Sequence, residues 1–477
     1  MPEFLAINRT PNPSMVPVAV SDTMTATEHR PVIEGLSTYR IETWGCQMNE
    51  HDSEKMAGVL ESFGLRPAVS EHDADIILLN TCSVREKASH KVFTRLGQLR
   101  MQKAARPGMV LGVCGCVAQQ EQDDIFKRAP FVDLVFGPRR LTSLPDLIEE
   151  SRRTRHASAF FDPGDNQVLE MEGALRVSRT RAYITIMEGC NKNCTFCIVP
   201  FTRGREACRA PEAILQEVHD CAQSGLSEIE LLGQNVNAWH HGGGTGGWDF
   251  SRLLGVVADT TDVRRVRFTT SHPLHFKNSI IDTMAAHDTI CRHLHLPFQS
   301  GSDPILARMR RGYTKLEFMD RIERLRRLIP EIAVSTDVIV GFPGETEADF
   351  QLTLDVVREV RFDSIFSFLY SPRPATPASE WPDDVTLEEK KERLHRLHAV
   401  QSDIQLEKHR EMEGRTVEVL VDGPSSRGDG TMCGRTSQNH LVNLPGDPSL
   451  VGSLVRVKIE RAGLHSLRGL PETHLTS

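Results

Sequence analysis

The sequence predicts an α/β protein with three folded parts: an N-terminal doubly wound parallel sheet, a central partial (β/α)6 barrel and a C-terminal small β-barrel. Strand-like and helix-like segments alternate from residue 39 to about 150, and they alternate again, as six units, from about residue 177 to 369. Short strands separated by Gly- and Pro-containing turns follow residue 415. Regular alternation of strands and helices is typical of parallel sheets, and closely spaced short strands are typical of small barrels.

Composition narrows the class of protein further. The 477 residues suffice for about two to four domains, and the net charge of −8 excludes a broadly basic nucleic-acid-binding protein, so RNA contacts must come from local patches. The 11 Cys occur partly in short runs, which favours metal ligation over a disulfide framework. The sequence shows neither a membrane-length apolar run nor a secretory signal, so we expect a cytoplasmic location and no membrane partner.

The predicted N-terminal domain spans residues 38–150. Residues 1–37 contain five Pro and no sustained periodicity, which predicts a disordered tail or an artificial extension; their acidic residues make a transit peptide the weaker alternative. The predicted strands are Tyr39–Thr43, Ile76–Leu79, Val110–Val113 and Leu134–Phe136, and the predicted helices are His51–Phe63, Val84–Met101, Gln119–Lys127 and one from about Leu144.

The later domains follow a predicted linker at residues 151–175. The central domain is predicted at 176–410, with strands at 181–187, 228–232, 265–270, 293–297, 333–340 and 364–369 and helices at Ala210–Ser224, His275–Ala286, Leu316–Leu328 and Glu347–Val360. An amphipathic helix at Leu387–Met412 is expected to close this barrel. The C-terminal domain is predicted at 411–474, with strands Thr416–Val421, Asn439–Asn443 and Gly452–Glu460.

A run of three thiols marks the central domain. Cys190, Cys194 and Cys197 follow the apolar, strand-like segment 182–187. Three thiolates from one short loop can hold three irons of a 4Fe–4S cluster, which leaves the fourth iron open. The alternative is a structural zinc site, but such a site needs four protein ligands, and the only nearby candidates are Cys208 and Cys221.

A second group of thiols lies at the ends of predicted strands in the N-terminal domain. Cys46 follows the first strand, Cys82 the second, and both Cys114 and Cys116 the third. Because the carboxyl ends of parallel strands meet at one edge of a sheet, these residues are expected to converge into a second three-thiol site. The alternative is that they are buried apolar fillers, a common role for Cys. The polar and Gly-containing turns around them favour the cluster.

These motifs resemble one family. The run from Cys190 to Cys197, continued by residues 198–206, resembles the cluster loop of radical S-adenosylmethionine enzymes and, more narrowly, of methylthiotransferases. Residues 43–49, 80–85 and 115–119 resemble motifs of the methylthiotransferase N-terminal domain. The resemblance implies two 4Fe–4S clusters, one of which binds S-adenosylmethionine at the Cys190 loop. It implies an auxiliary cluster on Cys46, Cys82 and Cys116, with Cys116 rather than Cys114 at the family's Gly-Cys-x-x-Gln position.

The resemblance also implies a radical reaction. In the family, the open iron binds the amino and carboxylate groups of S-adenosylmethionine, and electron transfer splits this cofactor into methionine and a 5′-deoxyadenosyl radical. A second S-adenosylmethionine methylates sulfur associated with the auxiliary cluster. The radical takes hydrogen from a substrate carbon, which then captures the methylthio group. Such a C–H bond is beyond the reach of a general base, because no side-chain pKa comes close to that of the carbon.

Polar residues at the strand ends of the central domain are the candidate cofactor contacts. The resemblance implies that segments after the second, fourth and fifth strands hold the methionine, ribose and adenine groups. The candidates are Gln234, Asn235, Gln299, Ser300, Asp337 and Gly341. The alternative is structural: the Gly-containing segment 341–344 would be only a strand-to-helix turn, and Asp337 a core acid with satisfied hydrogen bonds.

Basic residues in two places are the candidate RNA contacts. Arg203 and Arg205 follow the cluster loop and are expected either to balance the charge of the cluster or to bind phosphates. Residues 433–439 resemble the TRAM domain, an RNA-binding module, which makes Arg435 and Asn439 candidates as well. Surface Arg residues are often merely solvated. Cys208 stands where the family usually has Ser, and we interpret it as a replacement for Ser and not as a ligand.

The form of three motifs indicates a substrate class. Residues 45–49, 80–85 and 232–237 most resemble the branch of the family that acts on carbon 2 of N6-isopentenyladenosine beside the anticodon of tRNA. The alternatives are threonylcarbamoyl-adenosine in tRNA, an aspartate of a ribosomal protein, or a non-catalytic metal-cluster protein that binds RNA. The implied partners are tRNA and a reductant protein such as flavodoxin or ferredoxin, and we expect a monomer.

Overall fold

A computed structural model describes residues 33–83, 86–162, 175–176, 178–243, 246–260, 263–426 and 430–472. The chain divides into two units, one formed by Met1–Asp162 with Leu169–Ser178 and the other by Pro163–Val168 with Arg179–Ser477. The predicted disordered tail falls mostly on residues 1–32, which lie outside the described residues. In the described part of the chain, no helix combines the length and the apolar character that a membrane span requires.

The first unit is built on a parallel sheet. In chain order its elements are β1 (Thr38–Trp44), α1 (Gln47–Ser62), β2 (Arg66–Pro67), β3 (Ile76–Thr81), α2 (Glu86–Ala105), β4 (Val110–Gly115), α3 (Cys116–Glu121), α4 (Asp124–Arg128), β5 (Leu134–Phe136), α5 (Leu144–Thr154) and β6 (Ala157–Ala159). The strands lie in the order β2-β1-β3-β4-β5-β6, and each neighbouring pair is parallel. Separate apolar cores cover the two faces, as a doubly wound sheet requires.

This sheet extends beyond the four predicted strands. β2 adds two residues beside β1, and β6 adds three residues beside β5, inside the range that was predicted as a linker. Ile33, inside the predicted tail, is buried in one of the two cores. Strands of two or three residues are too short for an alternating pattern to be recognised, so the sequence did not reveal them.

The second unit begins with a partial barrel. Its elements are β7 (Arg181–Thr185), β8 (Met187–Glu188), α6 (Val199–Thr202), β9 (Ala207–Cys208), α7 (Pro211–Gln223), β10 (Glu228–Leu232), β11 (His240–His241), β12 (Trp248–Asp249), α8 (Phe250–Ala258), β13 (Arg265–Phe268), α9 (Asn278–Ala286), β14 (His293–His295), α10 (Asp303–Arg308), α11 (Lys315–Leu328), β15 (Ala333–Val340), α12 (Glu347–Val360), β16 (Ser364–Leu369) and α13 (Leu387–Arg410). Strands β7, β10 and β13 are parallel neighbours, as are β14, β15 and β16. A bridge between Val266 and Ile290 joins the two groups, which confirms the predicted order of six strands.

The strands of this barrel have one apolar and one polar face. Ile184, Ile229 and Val266 belong to the core that the helices cover. The opposite face carries charged residues, including Glu228, whose carboxylate lies 2.7 Å from the Arg181 guanidinium and is fully buried. Burial alone would raise the pKa of Glu228, but the neighbouring Arg residues lower it to about 2, so the carboxylate stays charged. A polar barrel interior therefore lies beneath the loops that follow the strands.

A closed β-barrel completes the second unit. It consists of β17 (Thr416–Pro424), β18 (Thr431–Thr436), β19 (Leu441–Pro445), β20 (Leu454–Ala462) and β21 (Leu467–Pro471), in the order β17-β18-β19-β21-β20. Arg265 at the start of β13 donates to the Arg435 carbonyl at 2.7 Å, and Ser227, just before β10, donates to the Gly452 carbonyl at 2.9 Å. The small barrel therefore contacts the amino-terminal edge of the core strands, opposite the loops that follow them.

Candidate iron–sulfur and cofactor sites

Three of the predicted ligands meet at one edge of the first sheet. Strand register places Trp44 level with Thr81, and Thr81 level with Gly115. Cys82 and Cys116 directly follow Thr81 and Gly115, and the Cys82 amide donates to the Trp44 carbonyl at 3.0 Å. Cys46 lies two residues beyond Trp44. Adjacent strands are about 4.8 Å apart, so the fold brings all three residues to neighbouring positions at the carboxyl edge.

Cys114 is placed differently from these three residues. It lies inside β4, is fully buried and belongs to one of the two apolar cores of the first unit. Burial, with a contribution from the charge of Asp52, raises the pKa of the Cys114 thiol. A protonated thiol within an apolar core behaves as a small apolar filler. We therefore propose Cys46, Cys82 and Cys116 as the thiol ligands of this edge.

Two buried amides connect the loops that carry these thiols. The Asn80 side chain donates to the Asn49 carbonyl at 2.8 Å, and the Asn49 side chain donates to Asn80 Oδ1 at 3.2 Å. Asn49 Oδ1 also lies 3.4 Å from the Cys46 thiol. Both residues stand in the motifs noted in the sequence, yet no role was predicted for them. They fix the Cys46 turn to the end of β3, next to Cys82.

Glycines make room for this amide network. A Cβ on Gly45 would lie 2.3 Å from Asn49 Oδ1, and a Cβ on Gly115 would lie 2.4 Å from Asn80 Oδ1. Gly115 also has a φ of +87°, which side chains other than Gly rarely adopt. The Gly residues that precede Cys46 and Cys116 are therefore required by the packing of the two turns.

The Cys190 loop is anchored at several points in the second unit. The Cys190 amide donates to the Gly204 carbonyl at 3.1 Å, and the Thr195 hydroxyl donates to the Arg308 carbonyl at 2.9 Å. Gly189, with φ +75°, allows a close approach, because a Cβ there would lie 2.0 Å from the Arg205 carbonyl oxygen. The loop follows β7 and β8, so its thiols lie at the carboxyl edge of the core strands.

The thiols of this loop influence one another electrostatically. Burial, together with the charge of Cys194, raises the pKa of Cys190 to about 11 and that of Cys197 to about 12. Cys190 and Cys197 are therefore protonated when no cation is present, and a bound metal is needed to hold them as thiolates. This donor set fits an iron–sulfur cluster, and we propose Cys190, Cys194 and Cys197 as its ligands.

A buried guanidinium lies against the same loop. Arg311 Nη1 donates to Cys194 Sγ at 3.5 Å, and Nη2 donates to the Pro297 carbonyl at 2.8 Å. Burial alone would lower the pKa of Arg311, but Tyr313 and Cys194 raise it above its ordinary value, so the positive charge persists. Arg311 was not predicted from the sequence. It lies 117 residues from Cys194 along the chain, so only the folded structure shows the contact.

Two predicted cofactor contacts have buried polar atoms available for a ligand. Asn235 is 1% exposed, and neither polar atom of its side chain has a hydrogen-bond partner among the described residues. Gln299 is also buried, its Oε1 lacks a described partner, and its φ of +71° is unusual for Gln. An unsatisfied buried amide is costly, and strained backbone clusters at functional sites. Both residues follow core strands, which fits a polar cofactor at this edge.

The polar groups of three other predicted cofactor contacts form hydrogen bonds within the protein. Gln234 accepts a hydrogen bond from the Gly189 amide, so it supports the Cys190 loop. Ser300 accepts from the Ser302 amide at 3.2 Å, and the Gly341 amide donates to Glu345 at 3.2 Å. A Cβ on Gly341 would lie 2.3 Å from Lys390, which fits the turn interpretation of this segment.

Asp337 lies on the polar face of β15. Its carboxylate is 3.6 Å from His295 Nε2, and its side chain is 26% exposed. It is therefore neither a fully buried core acid nor held in a close ion pair. We retain Asp337 as a proposed cofactor contact, next to Gln299, whose amide donates to the Asp337 carbonyl at 2.9 Å.

Two histidines missed in the sequence lie after β13 at the same edge. Burial, with the positive charges of Arg311 and Lys192, lowers the pKa of His272 to about 2, and burial with Lys192 and Lys277 lowers that of His275 to about 4. Both rings are therefore neutral. His272 Nδ1 accepts from the Leu274 amide, so its proton is on Nε2, an atom without a partner among the described residues. His272 can thus donate a hydrogen bond to a ligand.

The predicted RNA contacts fall into two separate places. Arg203 is 2% exposed, which favours the charge-balancing role over contact with RNA, whereas Arg205 is exposed beside the cluster loop. Arg435 donates to the Asn439 carbonyl at 3.1 Å, and Asn439 has a φ of +71°, so these two residues shape one turn of the small barrel. That turn lies at the amino-terminal edge of the core strands, away from Arg205.

Comparison with protein families agrees with this architecture. A model described as "Radical SAM superfamily" matches residues 184–357, and one described as "TRAM domain" matches residues 410–470. A third, described as "Uncharacterized protein family UPF0004", matches residues 38–137. The fold and the three-thiol loop after β8 define a radical S-adenosylmethionine enzyme with a TRAM domain.

Similar proteins identify the family. A tRNA-2-methylthio-N(6)-dimethylallyladenosine synthase from Pelotomaculum thermopropionicum is 47% identical over 438 residues, which cover 91% of this chain and 98% of the relative. An enzyme of the same name from Syntrophobacter fumaroxidans is 48% identical over 434 residues, or 90% of this chain and 94% of the relative. The chain belongs to the tRNA-2-methylthio-N(6)-dimethylallyladenosine synthase family of radical S-adenosylmethionine methylthiotransferases.

A solved structure shares the fold. The radical S-adenosylmethionine methyltransferase TsrM from Kitasatospora setae, solved with cobalamin and a 4Fe–4S cluster bound, aligns with a TM-score of 0.51 and 16% identity. The alignment covers 72% of this chain and 77% of TsrM. At this identity the likeness establishes the fold alone.

Proposed function

We propose that this enzyme replaces the hydrogen on carbon 2 of N6-isopentenyladenosine, beside the anticodon of tRNA, with a methylthio group. The observation that carries the proposal is the second thiol trio. Cleavage of S-adenosylmethionine in such an enzyme needs only one three-thiol loop, here the Cys190 loop. The first sheet presents three additional thiols, Cys46, Cys82 and Cys116, at its carboxyl edge. A separate thiol site suits the delivery of sulfur, which the radical site does not supply.

The residues of this chain have distinct tasks in the proposal. Bound iron–sulfur clusters and S-adenosylmethionine supply the radical and sulfur chemistry that side chains lack. Asn235, Gln299 and His272 offer buried polar atoms that can orient a polar cofactor. Arg311 places a permanent positive charge 3.5 Å from Cys194 Sγ, where it can balance the charge of a bound cluster. The anchored Cys190 loop holds its thiols at fixed positions.

The partners follow from the substrate. A base in the anticodon loop is single-stranded and can be turned into a pocket. We propose Arg205 and Lys192 as RNA contacts near the cluster loop, and the turn of Arg435 and Asn439 as a contact on the small barrel. We also propose a cytoplasmic monomer that receives electrons from a small reductant protein such as flavodoxin or ferredoxin.

The proposal is tested with the full chain, anaerobically reconstituted with iron and sulfide. The enzyme is incubated with S-adenosylmethionine, a reductant and tRNA carrying isopentenyladenosine, and the digested nucleosides are analysed by mass spectrometry. The expected product is 2-methylthio-N6-isopentenyladenosine. Matched reactions use tRNA that lacks the isopentenyl group and tRNA that carries threonylcarbamoyl-adenosine. Methylthiolation of either control substrate in place of the isopentenylated tRNA would contradict the substrate assignment.

A further inference from the structure

Three side chains of metal-binding type converge beside the Cys190 loop. The ligand atoms of Glu206, Cys208 and His240 all lie within 4.8 Å of one another. Glu206 and Cys208 belong to the β9 segment, and His240 begins β11. They provide one carboxylate oxygen, one sulfur and one imidazole nitrogen. None of them is a proposed ligand of either iron–sulfur cluster.

The backbone around these residues is well anchored. Cys208 is paired with Met187 across the β8–β9 ladder, and the His240 amide donates a hydrogen bond to the Cys208 thiol. The Glu206 amide donates to Asn191 Oδ1 at 3.1 Å. The carboxylate and the sulfur are therefore presented from an ordered hairpin at the base of the cluster loop.

The distances are close to those of a metal site. Tetrahedral zinc, with bonds of about 2.0–2.3 Å, separates neighbouring ligand atoms by about 3.3–3.6 Å. His240 Nδ1 lies 3.9 Å from Glu206 Oε1. The His240 side chain is 69% exposed, so its ring can rotate the remaining distance once Nδ1 gives up its 3.2 Å hydrogen bond with the Ala238 carbonyl.

A cavity adjoins the three side chains. Glu206 and His240 line a space of about 250 Å³, together with Asn237, His275 and Lys277. An ion held by Glu206, Cys208 and His240 would have a fourth position open toward this space. Three protein ligands and one open position are typical of zinc sites that bind water or an exogenous ligand.

An ordinary ion pair accounts for only part of this arrangement. Glu206 and His240 could form a surface pair, but that pair gives no reason for a sulfur atom within 4.8 Å of both ligand atoms. Cys208, interpreted from the sequence as a replacement for Ser, lies beside a carboxylate and an imidazole. A thiol is a far better ligand than a hydroxyl for a soft divalent ion.

We propose that Glu206, Cys208 and His240 bind a divalent transition-metal ion of the zinc type, separate from the two iron–sulfur clusters. The ion displaces the thiol proton and links β9 to β11, and it thereby braces the base of the Cys190 loop. This metal site does not depend on the proposed methylthiolation. The ion can bind whichever substrate the enzyme modifies.

The test measures metal directly. The full chain, with both clusters reconstituted, is dialysed against low-micromolar zinc, and zinc and iron per chain are quantified together. We expect about one zinc per chain, with one sulfur at about 2.3 Å in the zinc K-edge absorption spectrum. Cys208→Ser and His240→Ala should each reduce bound zinc at least tenfold while iron stays unchanged. Cys433→Ser and His241→Ala serve as matched controls and should retain the zinc.

Two results would overturn the proposal. One is equal zinc in the wild type and in Cys208→Ser, and the other is a zinc coordination shell without sulfur. Because Cys208 lies close to the cluster loop, the Cys208→Ser variant could also lose iron, and its zinc content would then be ambiguous. In that case His240→Ala decides, because His240 lies on a different strand: retained zinc in this variant refutes the site, and lost zinc with full iron supports it.

Discussion

Arg311 illustrates how one buried residue can tune a thiol. Its guanidinium donates to the Pro297 carbonyl and to Cys194 Sγ, and the residue is only 6% exposed. Hydrogen bonds and positive charge at a cysteine sulfur stabilise the more negative state of the sulfur and its ligands. We therefore expect Arg311 to affect both assembly of the proposed cluster and the ease of its reduction.

Arg311→Gln should make the reduction potential of the Cys190 cluster more negative. The variant removes the charge that favours the reduced, more negative cluster, and we expect a shift on the order of tens of millivolts. An electron paramagnetic resonance titration measures the potential. Arg310→Gln, which changes the exposed neighbour, is the control. Equal potentials in both variants would show that Arg311 does not tune the cluster.

Asn80→Ala should weaken the first unit and its thiol site together. The substitution leaves the buried Asn49 amide without its partner, which costs about 1–3 kcal/mol. Thermal unfolding and iron content of the full chain measure the two effects, and iron from the auxiliary site should decrease. Gln98→Ala, at an exposed position of α2, should change neither quantity. Full iron content in the Asn80 variant would argue against this positioning role.

At the scale of elements, Asp363 joins three parts of the second unit. Its carboxylate accepts from the Val334 amide at 2.8 Å and from the α13 residue Lys408 at 2.6 Å, and it lies 3.5 Å from His440 of the small barrel. Burial alone would raise the pKa of Asp363, but His440 and Lys408 lower it to about 2. The charged carboxylate therefore stabilises the contact between β15, α13 and the small barrel.

The stabilisation by Asp363 should depend on pH with a definite sign. Its folded-state pKa lies below the unfolded value of about 3.9, so the contribution, about 2 kcal/mol, is complete above about pH 5 and is lost as pH falls toward 2. Asp363→Asn should lower the melting temperature at pH 7, and the difference from wild type should shrink at about pH 3. Asp355→Asn, half-exposed on α12, is the control. A difference that does not vary with pH would refute the linkage.

The elements that sequence patterns predicted are those with long buried runs. All six core strands were predicted, because strands such as β10 and β15 carry Val, Ile or Leu in short, mostly buried segments. β18 and β21 were missed, since they are short and half-exposed and contain Gly within the strand. The helix α8 was also missed, because it has only nine residues and contains Gly255, which interrupts a short helical pattern.

The site was predictable to the extent that it depends on strand ends. Asn235 and Gln299 lie a few residues beyond β10 and β14, and the rule that ligands bind at the carboxyl edge of parallel strands, together with the family resemblance, made them candidate contacts. His272 and Arg311 carry no such signal, because their importance arises from packing against a loop that is distant in sequence. The occupied hydrogen bonds of Ser300 and Gly341 likewise become visible only in the fold.

For the whole molecule, the position of the small barrel constrains RNA binding. The barrel contacts the amino-terminal edge of the core strands, and the Cys190 loop lies at their carboxyl edge. The eight residues of β15 span about 25 Å. A tRNA that touches Arg435 and also presents a base at the loop must therefore extend along the side of the core for at least this distance.

Substitutions in the two groups of three thiols should have different effects on the reaction. Cys190→Ala should abolish both 5′-deoxyadenosine formation and methylthiolation, because it removes the radical site. Cys82→Ala should retain much of the S-adenosylmethionine cleavage but give no methylthiolated product, and iron should fall from about eight to about four per chain. Liquid chromatography of deoxyadenosine and nucleoside mass analysis measure both outcomes. Product formed by either variant would contradict the roles assigned to the trios.

The spacing of the thiols has a consequence for maturation of the enzyme. Cys190, Cys194 and Cys197 come from one short loop, so a nascent chain can offer them as soon as that loop leaves the ribosome. Cys46, Cys82 and Cys116 become neighbours only when β1, β3 and β4 have aligned in register. We therefore expect the proposed auxiliary cluster to assemble only after translation has passed β4 and the sheet has folded.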